Sequence, residues 1–379
     1  MNRGALEFLD QRLAQGLCAV GFMIVTVLCA SASCATPTYF NTRVITDGEY
    51  FSFPIFSREK DDKASTRINQ FLQLSELYFV SKHPVSAYIF HQAKVNDGSI
   101  YGAKFAMSSS IYSNNDRVLS LGFTESSSGA TTHYWVQYYT FNSGTGRRIE
   151  LSDLFTEDGY RKFKDLVFER RSAKYRKEVE KKVEPDEREG FLDLAGSFQY
   201  DDLSDYYIQR RSIVIDGSNW LGKGMMFNDL DMTTRFSLSS FKVYLNDYGR
   251  AVFGIERANI STFRSEQLPQ LFSGTVNGTY PIVMVLGIDY KDDYATSYRG
   301  YYAYLRYGEA LMVSGDDRKD QIDLTEHILS PTVIHNALGP YRPVQDSGYI
   351  SGKLSGLSFS GTWTDLTRSK QLSFYASAD

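Results

Sequence analysis

Cysteine is nearly missing. The 379-residue chain has three, Cys18, Cys29 and Cys34, all in its first 34 residues. No internal disulfide is available beyond that point, and Cys34 is the one thiol left for chemistry. Histidine is sparse. None of His83, His91, His133, His327 and His335 falls in an H-E-x-x-H pair, and Glu326-His327 stands eight residues from His335. That spacing gives no close ligand pair, so no metal and no other cofactor is expected. G-x-S-x-G is absent, and with it the usual hydrolase nucleophile turn. Charge of one sign is lacking too: 41 Lys+Arg against 45 Asp+Glu, net -4, gives no basic field for nucleic acid. After residue 30 no apolar run is long enough to span a bilayer, so the mature chain is expected to have no transmembrane anchor.

What is present begins with Leu17–Ala30 (LCAVGFMIVTVLCA), preceded by Arg3 and Arg12 and followed by Ser31-Ala32-Ser33-Cys34-Ala35. A charged start, a short apolar core and small-x-small sites predict a signal peptide over residues 1–35. The working protein is then extracytoplasmic, periplasmic or secreted. Export without disulfides leans toward a bacterial envelope. A lipid anchor at Cys34 is the alternative to a free N-terminus, although Ser31 stands where a lipobox has Leu.

Aromatics make up 15% of the chain, with 27 Tyr and 25 Phe, the composition of a Tyr-rich sheet protein. Tyr50–Phe56 alternates around Pro54 and predicts an edge strand. Ser65–Phe79 has helical spacing through Ile68, Phe71 and Leu72. Ser86–Phe90, Ala103–Tyr112, Val118–Thr124 and Tyr134–Phe141 predict an antiparallel meander. Residues 152–183 turn helical, with Phe163, Val167, Tyr175 and Val179 on one face and a Lys/Arg-rich back. Ser152 or Asp153 is available as cap. Tyr206–Ile215, Phe236–Ser240, Lys242–Leu245 and Ala251–Ile255 predict strands again. Ser265–Gly278 reads as an exposed linker. In Tyr280–Asp289 both faces are apolar, which predicts a central strand. Further short β-runs continue to Leu372–Ala376. The fold class is therefore α+β, an antiparallel sheet with packed helices over 36–264, followed by a small all-β domain over 279–379.

Candidate sites are few. Gly217-Ser-Asn-Trp-Leu-Gly222-Lys223 fits a phosphate loop but continues with Gly224 in place of Ser or Thr, so it reads as a glycine-rich turn. Carboxylates are plentiful, but the sequence does not say which meet. The densest surface candidate is Tyr298, Tyr301, Tyr302, Tyr304 and Tyr307. Strand alternation puts Tyr302 and Tyr304 on one face. With Trp363 on the Leu357–Asp365 strand, they are the expected partner-binding residues, taken as an exposed platform. The alternative is cross-strand packing inside a small sheet.

Trp135–Asn142, the turn Ser143-Gly144-Thr145-Gly146, and Leu151-Ser152-Asp153-Leu154-Phe155 opening a helix resemble the extracytoplasmic domain of RsiV-type anti-sigma factors. The same domain accompanies some peptidoglycan deacetylases. Phe53-Pro54-Ile55-Phe56 with Ile68-Asn69-Gln70-Phe71 is similar to the module that precedes it, and Asp205–Ile215 to its later strand pair. The resemblance covers about residues 45–256. It implies an envelope domain that recognises a lysozyme-like protein or a glycan. The combined reading is a non-enzymatic binding module with no catalytic residues assigned. The rival is a carboxylate-dependent enzyme acting on peptidoglycan or another envelope glycan.

Overall fold

The computed structural model describes residues 38–379, except 59–61, 83–85, 96–97, 101–103, 129–131, 194, 197, 199–201, 219–229, 258–259, 261–262, 264, 266, 293, 319–320, 331–333, 337–338, 342–343 and 379. The export segment, Cys34, His83 and most of the Gly217–Gly224 loop lie outside the described residues. The fold is α+β, a five-stranded sheet with packed helices followed by a closed eight-stranded barrel.

Strands β1 (Asn41–Asp47), β2 (Phe51–Ser57), β3 (Lys104–Asn114), β4 (Val118–Ser128) and β5 (Thr132–Asn142) lie in chain order in one sheet. All neighbours are antiparallel except β2 and β3, which pair in parallel at Phe51 and Met107 alone. β2 is therefore not the edge that Pro54 suggested, since β1 covers it. Pro54 is tolerated because the ladder to β3 stops at Phe51, and the missing N–H can face that open side.

Helix α1 (Lys63–Leu72) starts on Asp62, whose carboxylate accepts the Ser65 N–H at 3.0 Å. It runs into one π-helical turn, Gln73–Leu77, and stops at Tyr78 in the left-handed conformation, φ +53°. Ser86–Phe90, expected as a strand, instead leads into the short helix α2 (Tyr88–Ala93), whose Ile89, Phe90 and Ala93 share the core at helical spacing. Helix α3 (Glu157–Lys182) is capped by Thr156, accepting the Gly159 N–H at 3.0 Å, and not by Ser152 or Asp153. Its Phe163, Val167, Tyr175 and Val179 are buried as their spacing predicts.

Strands β6 (Tyr206–Gln209), β7 (Ser212–Asp216) and β8 (Thr233–Ser237) form a small antiparallel sheet. The expected strands Lys242–Leu245 and Ala251–Ile255 are a 3-10 turn, Lys242–Tyr244, and a helix, Asp247–Val252. Asn246 decides that outcome: its side chain accepts the Gly249 N–H at 2.8 Å and nucleates the turn.

The barrel is built from β9 (Gln270–Val276), β10 (Tyr280–Lys291), β11 (Thr296–Tyr304), β12 (Ala310–Arg318), β13 (Gln321–Leu329), β16 (Val344–Ser355), β17 (Ser358–Asp365) and β18 (Gln371–Ser377). β18 closes on β9, and β14 (Ile334–Asn336) and β15 (Gly339–Tyr341) form a separate hairpin in the β13–β16 connection. The stretch read as a linker thus supplies a barrel strand. Gln270, Leu271 and Phe272 are buried, and Gln270 Nε2 donates to the Arg148 carbonyl at 3.0 Å.

β10 has the two buried faces expected of it. Ile282, Met284 and Leu286 fill the barrel, while Val283 and Val285 enter the core shared with Phe71, Leu77 and Phe123 of the first half. Ile288, next in the same phase, is 46% exposed. Among the described residues no helix is long and apolar enough to cross a membrane.

Phe155 closes the first helical layer. Its ring is 4% exposed and stacks on Phe163 at 4.7 Å. Phe155→Ala is expected to cost about 3–5 kcal/mol in denaturant melts. A loss below about 1 kcal/mol would contradict this packing.

Candidate functional site

Tyr302, Tyr304 and Trp363 converge, but inside the barrel and not on an exposed platform. Tyr302 is fully buried, and Tyr304 and Trp363 are half-buried. Tyr302 and Trp363 meet at Glu326, 4% exposed on β13, and Tyr304 packs beside Tyr302 at 5.6 Å. Its Oε2 accepts the Tyr302 hydroxyl and, at 2.9 Å, the Trp363 Nε1–H. Its Oε1 accepts Ser347 Oγ–H at 2.6 Å. No described cation lies within ion-pair distance of this carboxylate. A carboxylate offers about four acceptor positions, and the described donors fill three of them.

Local backbone explains the arrangement. Glu326 pairs with Gly348 across β13–β16, and then the register slips so that His327 pairs with Asp346. Ser347 is the extra residue of this bulge, which turns its hydroxyl inward. Gly348 leaves the space that the indole crosses: a Cβ there would stand 2.9 Å from Trp363 Nε1. The up-and-down order puts this cluster near the end of the barrel that holds the β9–β10, β11–β12, β13–β16 and β17–β18 connections. Tyr280 and Tyr307, 49% and 67% exposed, lie edge-on to Tyr304 at 6.5 Å on either side. A cavity of about 350 Å³ opens beside this end, lined by Leu77, Phe79, Ala310, Leu311, Ile328 and Leu329. Burial, then the Glu326 charge, pushes the Tyr302 hydroxyl well above its ordinary pKa, so it stays a donor.

A second buried polar cluster lies under the π-helical turn. Lys104 Nζ is 2.6 Å from Glu76 Oε2 and 2.5 Å from Glu125 Oε1, and the Tyr139 hydroxyl donates to Glu76. Both carboxyls are 2% exposed. Burial first, and the neighbouring Glu76 second, push Glu125 up to about 9. At Glu76 burial opposes ionisation, but Lys104 and hydrogen bonds from Glu125, Lys104 and Tyr139 hold the carboxyl below its ordinary value. Lys104 likewise stays charged despite burial, because both glutamates face it.

Neither cluster was assigned from sequence, although both leave a trace there. Glu326 occupies the inward phase set by Ile322 and Leu324, and Glu125 the phase set by Leu119, Leu121 and Phe123. A charge at a core position of an alternating strand is the mark of a buried polar site. His327 lies on the outer wall of the barrel. The side chains of His133 and His335 lie outside the described residues.

No family model and no curated protein matches this chain. Among solved structures, a crystal structure of a DUF3298 family member from Bacteroides fragilis is a distant neighbour, with TM-score 0.36 and 13% identity. The match covers 59% of this chain and 97% of that one.

The Glu125 shift sets a pH dependence. From about 4.5 to about 9 the folded chain keeps a proton that the unfolded chain releases. Over that window this residue's contribution to stability falls as pH rises, by at most about 1.4 kcal/mol per pH unit. Glu76, with its lowered pKa, loses its contribution only at acid pH below that window. Glu125→Gln should flatten the decline in urea melts between pH 5 and 8.5. An unchanged slope would place the proton elsewhere.

Proposed function

We propose that this chain is an exported bacterial cell-envelope protein that acts by binding, with the barrel mouth as its recognition site and an envelope glycan as its ligand. The observation that carries the reading is the meeting of Tyr302 and half-buried Trp363 on one buried carboxylate that neutral donors hold, with half-buried Tyr304 packed beside Tyr302. Aromatic faces stack on the apolar faces of sugar rings, and a carboxylate suits a sugar hydroxyl as its donor. The Leu17–Ala30 segment supports export, and the resemblance to RsiV-type domains supports an envelope setting.

A carboxylate-dependent enzyme would need two carboxyl groups facing a substrate cavity. The buried pair Glu76 and Glu125 is neutralised by Lys104 and sealed from solvent, which favours binding over that reading.

The test is co-sedimentation of the mature chain with purified peptidoglycan, and titration with its soluble fragments. Glu326→Gln and Tyr304→Ser are each expected to weaken binding about tenfold or more, roughly 1.4 kcal/mol. Melting temperature should change little. Capture of a lysozyme-like protein in place of glycan, sensitive to the same variants, would reassign the ligand class. Wild-type binding by both variants would overturn the site. Mass spectrometry of protein from the native host should find a start between Ser33 and Thr36, and an intact Met1 in the cytosol would overturn export.

A further inference from the structure

The bulge that turns Ser347 inward also turns Asp346 outward. In a regular ladder His327 would face Ser347; here it faces Asp346, and its Nδ1 lies 2.8 Å from Asp346 Oδ1. On the other side, His327 Nε2 lies 3.1 Å from Ser314 Oγ on β12. Three neighbouring strands thus align Ser314, His327 and Asp346 along the outer wall of the barrel. The His327 side chain is 12% exposed and Ser314 half-buried, while Asp346, at 55%, stays open to water. An ionised Asp346 can only accept, so Nδ1 carries the imidazole proton and Nε2 is left to accept from Ser314. That is the connectivity of a Ser–His–Asp nucleophile, recognised by geometry and not by chain order.

We propose that Ser314, His327 and Asp346 form a nucleophilic relay that hydrolyses small O-acyl esters presented at an open surface. Ser314 Oγ bonds to the acyl carbon, and its proton passes to His327 Nε2. The carbon–oxygen bond to the alcohol breaks, and the leaving alcohol takes that proton. Water then attacks the acyl-serine and gives a proton to His327. The carboxylic acid departs as Ser314 Oγ recovers the proton. Asp346 is a positioning residue, since it holds the tautomer and the ring. Arg299, opposite Ser314 in the β11–β12 register, supplies a cation on the same wall for the developing oxyanion. Its guanidinium, 56% exposed, pairs with Asp289 at 3.3 Å in the structure and would leave that partner to reach the oxyanion. Asp346, open to water beside His327, leaves the row accessible to esters that protrude from a larger carrier. This activity is independent of the mouth, because the two sets of side chains lie on opposite faces of β13.

The test uses the whole mature chain with a fluorophosphonate probe, followed by peptide mass spectrometry, and with p-nitrophenyl acetate as a simple ester. The expected result is a covalent adduct on Ser314 and slow ester turnover. Ser314→Ala should abolish the adduct, and His327→Gln should slow labelling about 100-fold or more. Asp346→Asn should slow labelling at unchanged melting temperature, with partial rescue by Asp346→Glu. Absence of an adduct on Ser314, or equal labelling of His327→Gln and wild type, would overturn it.

Discussion

The outer wall of the barrel from β9 to the start of β12 is not left to water, and much of the architecture follows from that constraint. Leu271, Val283, Val285, Ala303 and Ala310 join Phe71, Leu72, Leu77 and Phe123 in one apolar core. Burying that wall requires the chain after α1 to meet β11 and β12 edge to edge. Tyr78 takes a left-handed turn, its ring meets Tyr301 at 4.7 Å, and its carbonyl accepts the Ala310 N–H at 3.1 Å. Val80 then donates to the Gly308 carbonyl at 2.8 Å. Gly308 sits at φ +85°, where a Cβ would stand 2.5 Å from the Val80 carbonyl oxygen, so this approach needs glycine. The π-helical turn before Tyr78 is the local irregularity that brings the chain to this seam.

Enclosing so much surface leaves three glutamates buried among the described residues, and each is accommodated differently. Glu76 keeps its charge because Lys104 and three hydrogen bonds outweigh burial. Glu125, beside it, holds its proton. Glu326 is held by neutral donors alone among the described residues: the Tyr302 hydroxyl, the Trp363 indole and the Ser347 hydroxyl. A buried ion pair with saturated contacts is closed chemistry, whereas a carboxylate held by neutral groups near a barrel end is able to take a further donor. That contrast is why recognition is assigned to the barrel and not to the more heavily charged Lys104 cluster.

A single inserted residue organises both proposed sites. The β16 bulge at Ser347 sends one hydroxyl inward to Glu326 and, by shifting the register, one carboxylate outward to His327. Bulges change which face a side chain serves without altering the strands around them. Here the change bears on both faces of β13.

The α+β class, the antiparallel run β3–β4–β5, the long helix and the two-sided character of β10 follow from the sequence, because hydrophobic period and turn residues set them locally. Tyr302, Tyr304 and Trp363 were also legible as a group, since each marks one phase of an alternating strand. Which way that phase faces was not legible. Alternation separates two faces without naming the inner one, and only closure of β18 onto β9 turned Tyr302 inward. Strand β9 itself was hidden in a Pro- and Gly-bearing stretch, and the helix at Asp247–Val252 was hidden by β-forming residues that the Asn246 cap overrode. Glu326, Ser347 and the row Ser314, His327, Asp346 come from positions up to 33 residues apart. Their meeting depends on strand register and a bulge, which are settled by long-range pairing and leave no local mark in the chain.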